Sequence, residues 1–484
     1  MKRIAIIGGG ISGLAVAYEL ERQRQHPCTY TLFEATARLG GTVETVRQDG
    51  FVIECGPDSW VTDKPWAREV AEEVGLRDEI IPSNDTQRRT YLARQSVLQP
   101  LPDAMRMMVP TRWATLLASP LFSDSAKHAY QQEPGRAEEL KRSALLTRGE
   151  DADESVDTFV RRHFGEEVAE TIAGPLLAGV FGGDIERLSV RSVMAPFVRM
   201  EAEHGSLITA LEQRKTSHAE VSSVFTTLAG GLQTLTDRMA ASLLASSIQR
   251  STPVDAILRT GAAWRVQCER ESTSATQEFD AVVLATPLES TRRLLGSTRN
   301  PHAAAAAALL PAEASSAIVV ALGYEPAIGR SLSIPCGFGF LAPTHRSNEA
   351  ATDSSSNSLL ACTFVNQKFA HRAPDGGVLL RAFFGGAAAE RLLYAEDAQL
   401  AALAREQLCS LLGSLPEPQV TIVRRWPRSL PQYTVGHLER MRRLDAELHL
   451  VDGLALAGNA YHGVGLPDLV RDGREAARRL LRHT

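Results

Sequence analysis

The 484-residue sequence predicts a mixed α/β fold in which both ends of the chain build one parallel-sheet unit, while the middle supplies an antiparallel sheet and a run of helices. Three observations carry this reading. Lys2–Ile7 (KRIAII) is a short β-branched run followed by the glycine turn GGGISG (8–13) and the apolar helical stretch LAVAYEL. The end of the chain repeats that order, with a strand at 454–457, a glycine turn, and a helix at 466–481. Between them, residues 315–385 alternate as strands broken by glycines, whereas 86–220 carry mostly helical spacing.

The first unit has a chemical meaning. Gly8 permits a tight turn, Gly10 lets backbone approach a phosphate, and Gly13 lets the helix pack closely on the strand. The backbone N–H groups of Gly8, Gly9, Gly10, Ile11, Ser12 and Gly13 then face a pyrophosphate at a helix N-terminus. The next strand, TYTLFEA, ends in Glu34 and Ala35; Glu34 lies 34 − 13 = 21 residues past the last glycine, the distance at which a carboxylate accepts from ribose hydroxyls. Strand, glycine turn, helix, strand and acid make a Rossmann-like dinucleotide site. The Glu34 carboxylate repels a 2′-phosphate, which disfavours NADP.

The remaining elements follow in order. A helix is expected at 65–74, then helices at 156–163, 166–178 and 193–211. Residues 133–157 are charged and poor in aromatics and read as an exposed loop or weak helix. TLAGGL (227–232) closes a segment and opens a helix; 247–259, 264–268 and 281–284 read as strands. A polar loop is expected at 347–358 and an amphipathic helix at 395–414. The expected domains are 1–85, 222–300 and 440–484 for the nucleotide, 90–205 for a helical domain, and 206–221 with 301–439 for a substrate domain.

Composition excludes several classes. A net charge of −5 argues against a general nucleic-acid binder. The six cysteines (Cys28, Cys55, Cys268, Cys336, Cys362, Cys409) form no CxxC, so no metal or dithiol site is expected, and their scatter suits a reducing compartment. The chain starts at once with a fold strand, leaving no room for a signal peptide, and a cytoplasmic protein is expected. The most apolar stretch, 303–323, is interrupted by Pro311, Glu313, Ser315 and Ser316 and reads as a helix end and a buried strand. Residues 105–130 could lie in a membrane interface with Trp113 at headgroup depth, or form the lip of an apolar tunnel; Pro110 and Pro120 break any long amphipathic helix, which leaves at most a peripheral contact on the inner face of a membrane.

Several motifs then resemble known families. RLGG (38–41) resembles the second motif of flavoproteins built like glutathione reductase or amine oxidase, which points to FAD rather than NAD. FVIECGP (51–57) and ATP (285–287) resemble motifs of the flavin amine oxidase superfamily. Within it, GVFGGD (179–184), GFGFLAP (337–343), PQYTVGH (431–437) and GNAYHGVGLPD (458–468) resemble the oxygen-dependent protoporphyrinogen/coproporphyrinogen oxidase family, over almost the whole chain.

That resemblance implies an FAD domain, an antiparallel-sheet substrate domain and a helical domain that contacts membranes in some relatives. It implies oxidation of a porphyrinogen to a porphyrin in three two-electron rounds, with dioxygen as acceptor and hydrogen peroxide as product. It assigns Arg38 and Thr42 to the diphosphate side, Gly56, Pro57, Asp58 and Ser59 to the underside of the flavin, Val254 to adenine through backbone groups, and Trp426, Val464, Gly465 and Leu466 to the isoalloxazine. For substrate it assigns Arg89 (or its neighbour Arg88) to a propionate, Phe369 to a pyrrole ring, Leu341 to the cavity wall and the Gly179 carbonyl to the macrocycle. No side chain is assigned as a catalytic base, since the flavin carries the redox chemistry; His437 and His462 read as structural.

Protoporphyrinogen IX is the leading substrate on the sequence, because one clear arginine sits among apolar residues. Coproporphyrinogen III, with two more propionates, is the alternative, favoured by Lys368 and His371 beside Phe369. A flavin amine oxidase, a carotene desaturase and a non-catalytic flavoprotein are more remote readings. A homodimer is common in the family.

Overall fold

The computed structural model describes residues 1–23, 28–146, 152–215, 223–270, 273–343 and 358–482. At its centre is a five-stranded parallel sheet, in the order Ile248–Gln249, Cys28–Phe33, Lys2–Ile7, Ala281–Leu284, Leu454–Leu456. Its strands come from the beginning, middle and end of the chain. Alternation decides what each face meets. Ile4 and Ile6 point into a core shared with the helices Ile11–Arg22 and Leu466–Arg482, while Ala5 and Ile7 point into a second core beneath the antiparallel strands Val254–Thr260, Ala263–Arg270 and Thr273–Phe279. The two long helices cross closely: a Cβ on Gly473 would lie 2.5 Å from the Ser12 carbonyl oxygen.

The second sheet has seven strands, ordered Val420–Pro431, Ala314–Tyr324, Val378–Gly385, Leu359–Phe364, Gly339–Leu341, Thr90–Arg94, Val97–Pro100. All its pairs are antiparallel except Gly339–Leu341 with Thr90–Arg94. One face is sealed by Phe340, Cys362, Ala382, Phe384 and Val320 under the helix Asp397–Leu412. Thr90–Pro100 was expected in the helical domain, but its alternating residues pair here as the last two strands.

The helical region packs around Phe122, Tyr130, Phe159, Phe164, Ile172 and Met200. Trp113 opens the helix Trp113–Ala118 and lies partly buried against this core. The helix expected over 193–211 is broken into Ala195–His204 and Leu207–Lys215 at Gly205, whose φ of +73° ends the first. Of the exposed loop or weak helix expected over 133–157, the helix is found, over Ala137–Leu146. Glu133 is fully buried, accepts from the Leu207 N–H at 2.7 Å and lies 2.9 Å from His163 Nδ1. The single strand expected over 247–259 divides between two sheets, because Ser251 takes a positive φ and Pro253 follows. The loop expected at 347–358 lies, up to residue 357, outside the described residues. Among the described residues no helix is long and apolar enough to cross a membrane, and no three metal-ligating side chains cluster.

Candidate active site

The glycine turn sets the nucleotide end. Gly8 adopts φ +107° and donates its N–H to Phe33 O at 2.8 Å; Gly9 donates to Glu34 Oε2 at 2.8 Å. Those two N–H groups are therefore spent on the fold, and the N–H groups of the next residues lie at the start of the helix Ile11–Arg22. The helix Ile11–Arg22 has no side-chain cap and no acid in its first turn. Above it, a Cβ on Gly10 would meet nothing nearer than Gly41 Cα at 3.9 Å. An uncapped helix N-terminus with a cradle that only side chains would fill fits a diphosphate. Glu34 Oε1 accepts from both the N–H and the hydroxyl of Thr36 at 2.8 Å, which fixes the carboxylate beside exposed Ala35. Arg38 is used locally: Nη1 donates to Leu39 O (3.0 Å) and Val43 O (2.8 Å) and Nη2 to Gly41 O, holding the loop that carries Gly41 and Thr42. Val254 is buried, with its carbonyl already accepting from Arg293 Nη2 at 3.0 Å.

At the other end, Gly56 packs on the Thr42 backbone so tightly that a Cβ would fall 1.9 Å from Thr42 O. Asp58, on the same segment, accepts from Lys368 Nζ at 3.0 Å through both oxygens and from Ser59 Oγ at 2.6 Å, and lies 3.2 Å from Arg381 Nη1. Burial alone would raise the Asp58 carboxyl, but Lys368 and then Arg381 hold it well below the usual range. Arg381 Nη2 also donates to Gly56 O, and Trp426 Nε1 donates to Cys55 O at 2.6 Å. Two side chains of the seven-stranded sheet thus grip Cys55–Gly56 by its carbonyls.

The open face of that sheet carries an apolar row. Val319 opposes Phe383, Phe383 opposes Ala361, Ala361 opposes Leu341, and Leu341 opposes Leu92. Phe383, Ala361 and Leu341 are half-buried, unlike their sealed neighbours on the other face. The helix Gly174–Phe181 crosses above: a Cβ on Gly179 would lie 3.7 Å from Leu341 Cδ2. Gly179 and Leu341, singled out separately in the sequence, therefore face each other. Phe369 does not join them. It is 1% exposed, with Lys368 Nζ 5.1 Å and the Arg372 guanidinium 5.8 Å from its ring. The aromatic ring this face presents is Phe383, under the Arg381 guanidinium at 5.0 Å. A sequence signal existed: LLRAFFG places Arg381 and Phe383 on one side of a strand, and an arginine in a strand centre asks for a buried partner.

The chain matches the family model described as flavin containing amine oxidoreductase over residues 11–481. It belongs to that family. FAD is its cofactor, and its branch is that of the porphyrinogen oxidases. It is 31% identical to the coproporphyrinogen III oxidase of Bacillus subtilis, over 98% of this chain and 97% of the relative, and 29% identical to the protoporphyrinogen oxidase of Bos taurus, over 99% and 98%. A crystal structure from Exiguobacterium sp. 255-15, provisionally named a protoporphyrinogen oxidase, superposes with a TM-score of 0.82 at 31% identity, covering 100% of this chain and 99% of the other.

In this flavoenzyme Arg88 and Arg89 are both exposed, just before the strand Thr90–Arg94, and the Tyr91 hydroxyl donates to Cys336 O at 2.8 Å. Val464 and Gly465 are half-buried and Leu466 buried at the start of the last helix. His462 is exposed and 3.5 Å from Asp445; His371 is exposed on a turn at φ +62°. His437 is fully buried, stacked on Tyr433 at 3.9 Å, with Nε2 2.9 Å from Tyr461 O. Burial pushes its imidazole down from 6.5 to about 4, so it is neutral in the fold. The unfolded chain binds that proton more readily. Stability from His437 is therefore complete above pH 6.5 and lost as pH falls toward 4. Thermal unfolding followed from about pH 8 to about pH 4.5 is expected to show the parent losing stability below pH 6.5 more steeply than His437→Phe; parallel curves would contradict the assignment.

Proposed function

We propose that this flavoenzyme oxidises coproporphyrinogen III to coproporphyrin III, with dioxygen as electron acceptor and hydrogen peroxide released. The observation that carries it is the cross-strand row of half-buried Phe383, Ala361 and Leu341, with Gly179 above Leu341 and buried Val319 and Leu92 closing its two ends, an apolar floor and wall suited to a tetrapyrrole. Bound FAD would supply the hydride-accepting and dioxygen-reducing chemistry of each round.

The chain's own residues bind and orient. The N–H groups of Gly10, Ile11, Ser12 and Gly13 hold the diphosphate, and Glu34 holds the ribose. Gly56, Pro57, Asp58 and Ser59, with Trp426, Val464, Gly465 and Leu466, would hold the flavin ring. Phe383 takes the stacking role first read at Phe369. No side chain need act as base.

Two arguments favour coproporphyrinogen over protoporphyrinogen IX. The Bacillus relative bears that name. Three exposed guanidiniums, Arg88, Arg89 and Arg94, lie on and before the strand whose Leu92 ends the apolar row, and extra propionates call for extra cations. Phe383→Ala is expected to raise the porphyrinogen KM about tenfold while leaving the visible flavin spectrum unchanged, since a buried aromatic face is worth about 1–2 kcal/mol. An unchanged KM would remove Phe383 from the substrate floor. Steady-state assays of both porphyrinogens in air test the substrate, and preference for protoporphyrinogen IX would select the other reading.

A further inference from the structure

The segment between the strand Val420–Pro431 and the helix His437–His449 touches both sides of the proposed site. Toward the helical region, Gln432 Nε2 donates to Phe181 O at 2.8 Å, at the end of the helix that carries Gly179. Gly183 approaches so closely that a Cβ there would lie 2.0 Å from Gln432 Oε1. Ser189 N donates to Tyr433 O, Val435 N to Arg187 O, and Gly436 N to Asp153 Oδ2, all at 2.8–2.9 Å. Toward the C-terminal glycine loop, the Tyr433 hydroxyl accepts from Gly463 N at 3.0 Å and donates to Asn459 O at 2.7 Å. His437, stacked on the same ring, reaches Tyr461 O. Three motifs that lie far apart in sequence, GVFGGD, PQYTVGH and GNAYHGVG, converge on these residues.

We infer that Tyr433 is a positioning residue, whose hydroxyl fixes the loop 459–463 and through it the place where Val464, Gly465 and Leu466 meet the flavin ring, in register with the wall carrying Gly179. This rests on the ring placement proposed above. The loop needs an external anchor. Gly458 and Gly463 sit at φ +146° and +143°, so its backbone has wide freedom. One hydroxyl, on a side chain 2% exposed, pins it at both ends of a four-residue step. Burial pushes that phenol well above its ordinary value, so it remains a donor to Asn459 O at any working pH. Removing it takes the partner from the Gly463 N–H and the Asn459 carbonyl, both on half-buried residues, and releases the loop from its tie to the Tyr433 ring.

The test is Tyr433→Phe, which keeps the ring stacked on His437 and deletes only the hydroxyl. Three readouts are compared with the parent: the visible circular dichroism of bound flavin, the FAD dissociation constant of the apoprotein, and kcat separately from KM. The expected result is an altered visible dichroism, FAD binding weakened about tenfold, and kcat lowered about tenfold with porphyrinogen KM within about twofold. Gln432→Ala, on the substrate side of the same segment, is expected to raise KM and leave the dichroism unchanged. Parental dichroism and FAD affinity in Tyr433→Phe overturn the inference, including when its melting temperature falls, since stability alone would then explain the residue. Should Tyr433→Phe not fold, His437→Phe, which loses only the bond to Tyr461 O, carries the same comparison with the same expected shift in dichroism, and no shift overturns it. A parent that oxidises neither porphyrinogen would sink the proposed function, while the dichroism and FAD affinity still decide Tyr433.

Discussion

Gly13→Ala is expected to yield protein without flavin. The new Cβ would lie 1.9 Å from Gly8 O and 3.1 Å from Gly8 C. Gly8 cannot retreat. Its own far side faces the Ala285 backbone, where a Cβ would fall 2.3 Å from the carbonyl oxygen, and its N–H is held by Phe33 O at 2.8 Å. The helix Ile11–Arg22 must therefore lift off the sheet, taking its N-terminal donors with it. Overpacking of this kind costs about 3 kcal/mol, and the loss of flavin adds to it. Gly10→Ala is the informative companion. Its Cβ meets only Gly41 Cα at 3.9 Å, so the apoprotein should melt as the parent does, yet the methyl occupies the cradle. Flavin absorbance per protein and apoprotein melting, measured on both variants, check this. Full FAD retention by Gly10→Ala would mean that the diphosphate lies elsewhere.

Arg381→Leu is expected to be the most damaging change on the seven-stranded sheet. Arg381 is 1% exposed and supplies both a cation to Asp58 and a donor to Gly56 O. Its loss frees the Gly56 carbonyl and leaves Asp58, itself only 14% exposed, with Lys368 as its one cation. Breaking such a pair from one side costs about 3–5 kcal/mol. The pH behaviour separates this from the histidine effect. Asp58 has a depressed carboxyl, so its stabilisation is present above the ordinary value of 3.8 and lost only as pH falls through the lower folded value. The Arg381→Leu penalty should be flat between about pH 5 and about pH 8, over the range where His437 makes the parent pH-dependent. Melting curves across that range check it; a penalty below about 1 kcal/mol would show the pair to be solvated.

What the sequence made legible, and what it hid, divides along physical lines. The turn 8–13 and the acid at Glu34 were legible because each residue answers a local backbone demand, and local demands are written in adjacent letters. The open row on the sheet was not, because it depends on register between strands that lie far apart in sequence. Phe369 and Phe383 look alike in the sequence, and the pairing of Phe383 with Ala361, and of Ala361 with Leu341, puts Phe383 alone in line with Leu341. Asp58 gave no sign that its partners would be Lys368 and Arg381, more than three hundred residues on. Glu133 sat in a charged stretch that reads as solvated, yet His163 and Leu207 come from other helices to satisfy it inside the core. The glycine motif does not show that the Gly8 and Gly9 N–H groups bond to Phe33 O and Glu34 Oε2, because those partners come from the next strand.

The most direct test of the central claim is the rate of porphyrin formation by the FAD-loaded protein in air, with coproporphyrinogen III and protoporphyrinogen IX supplied separately and hydrogen peroxide counted alongside. A higher kcat/KM is expected for coproporphyrinogen III, with three molecules of peroxide for each porphyrin formed, one per two-electron round. A higher kcat/KM for protoporphyrinogen IX, or formation of both porphyrins no faster than in an enzyme-free control, would contradict it.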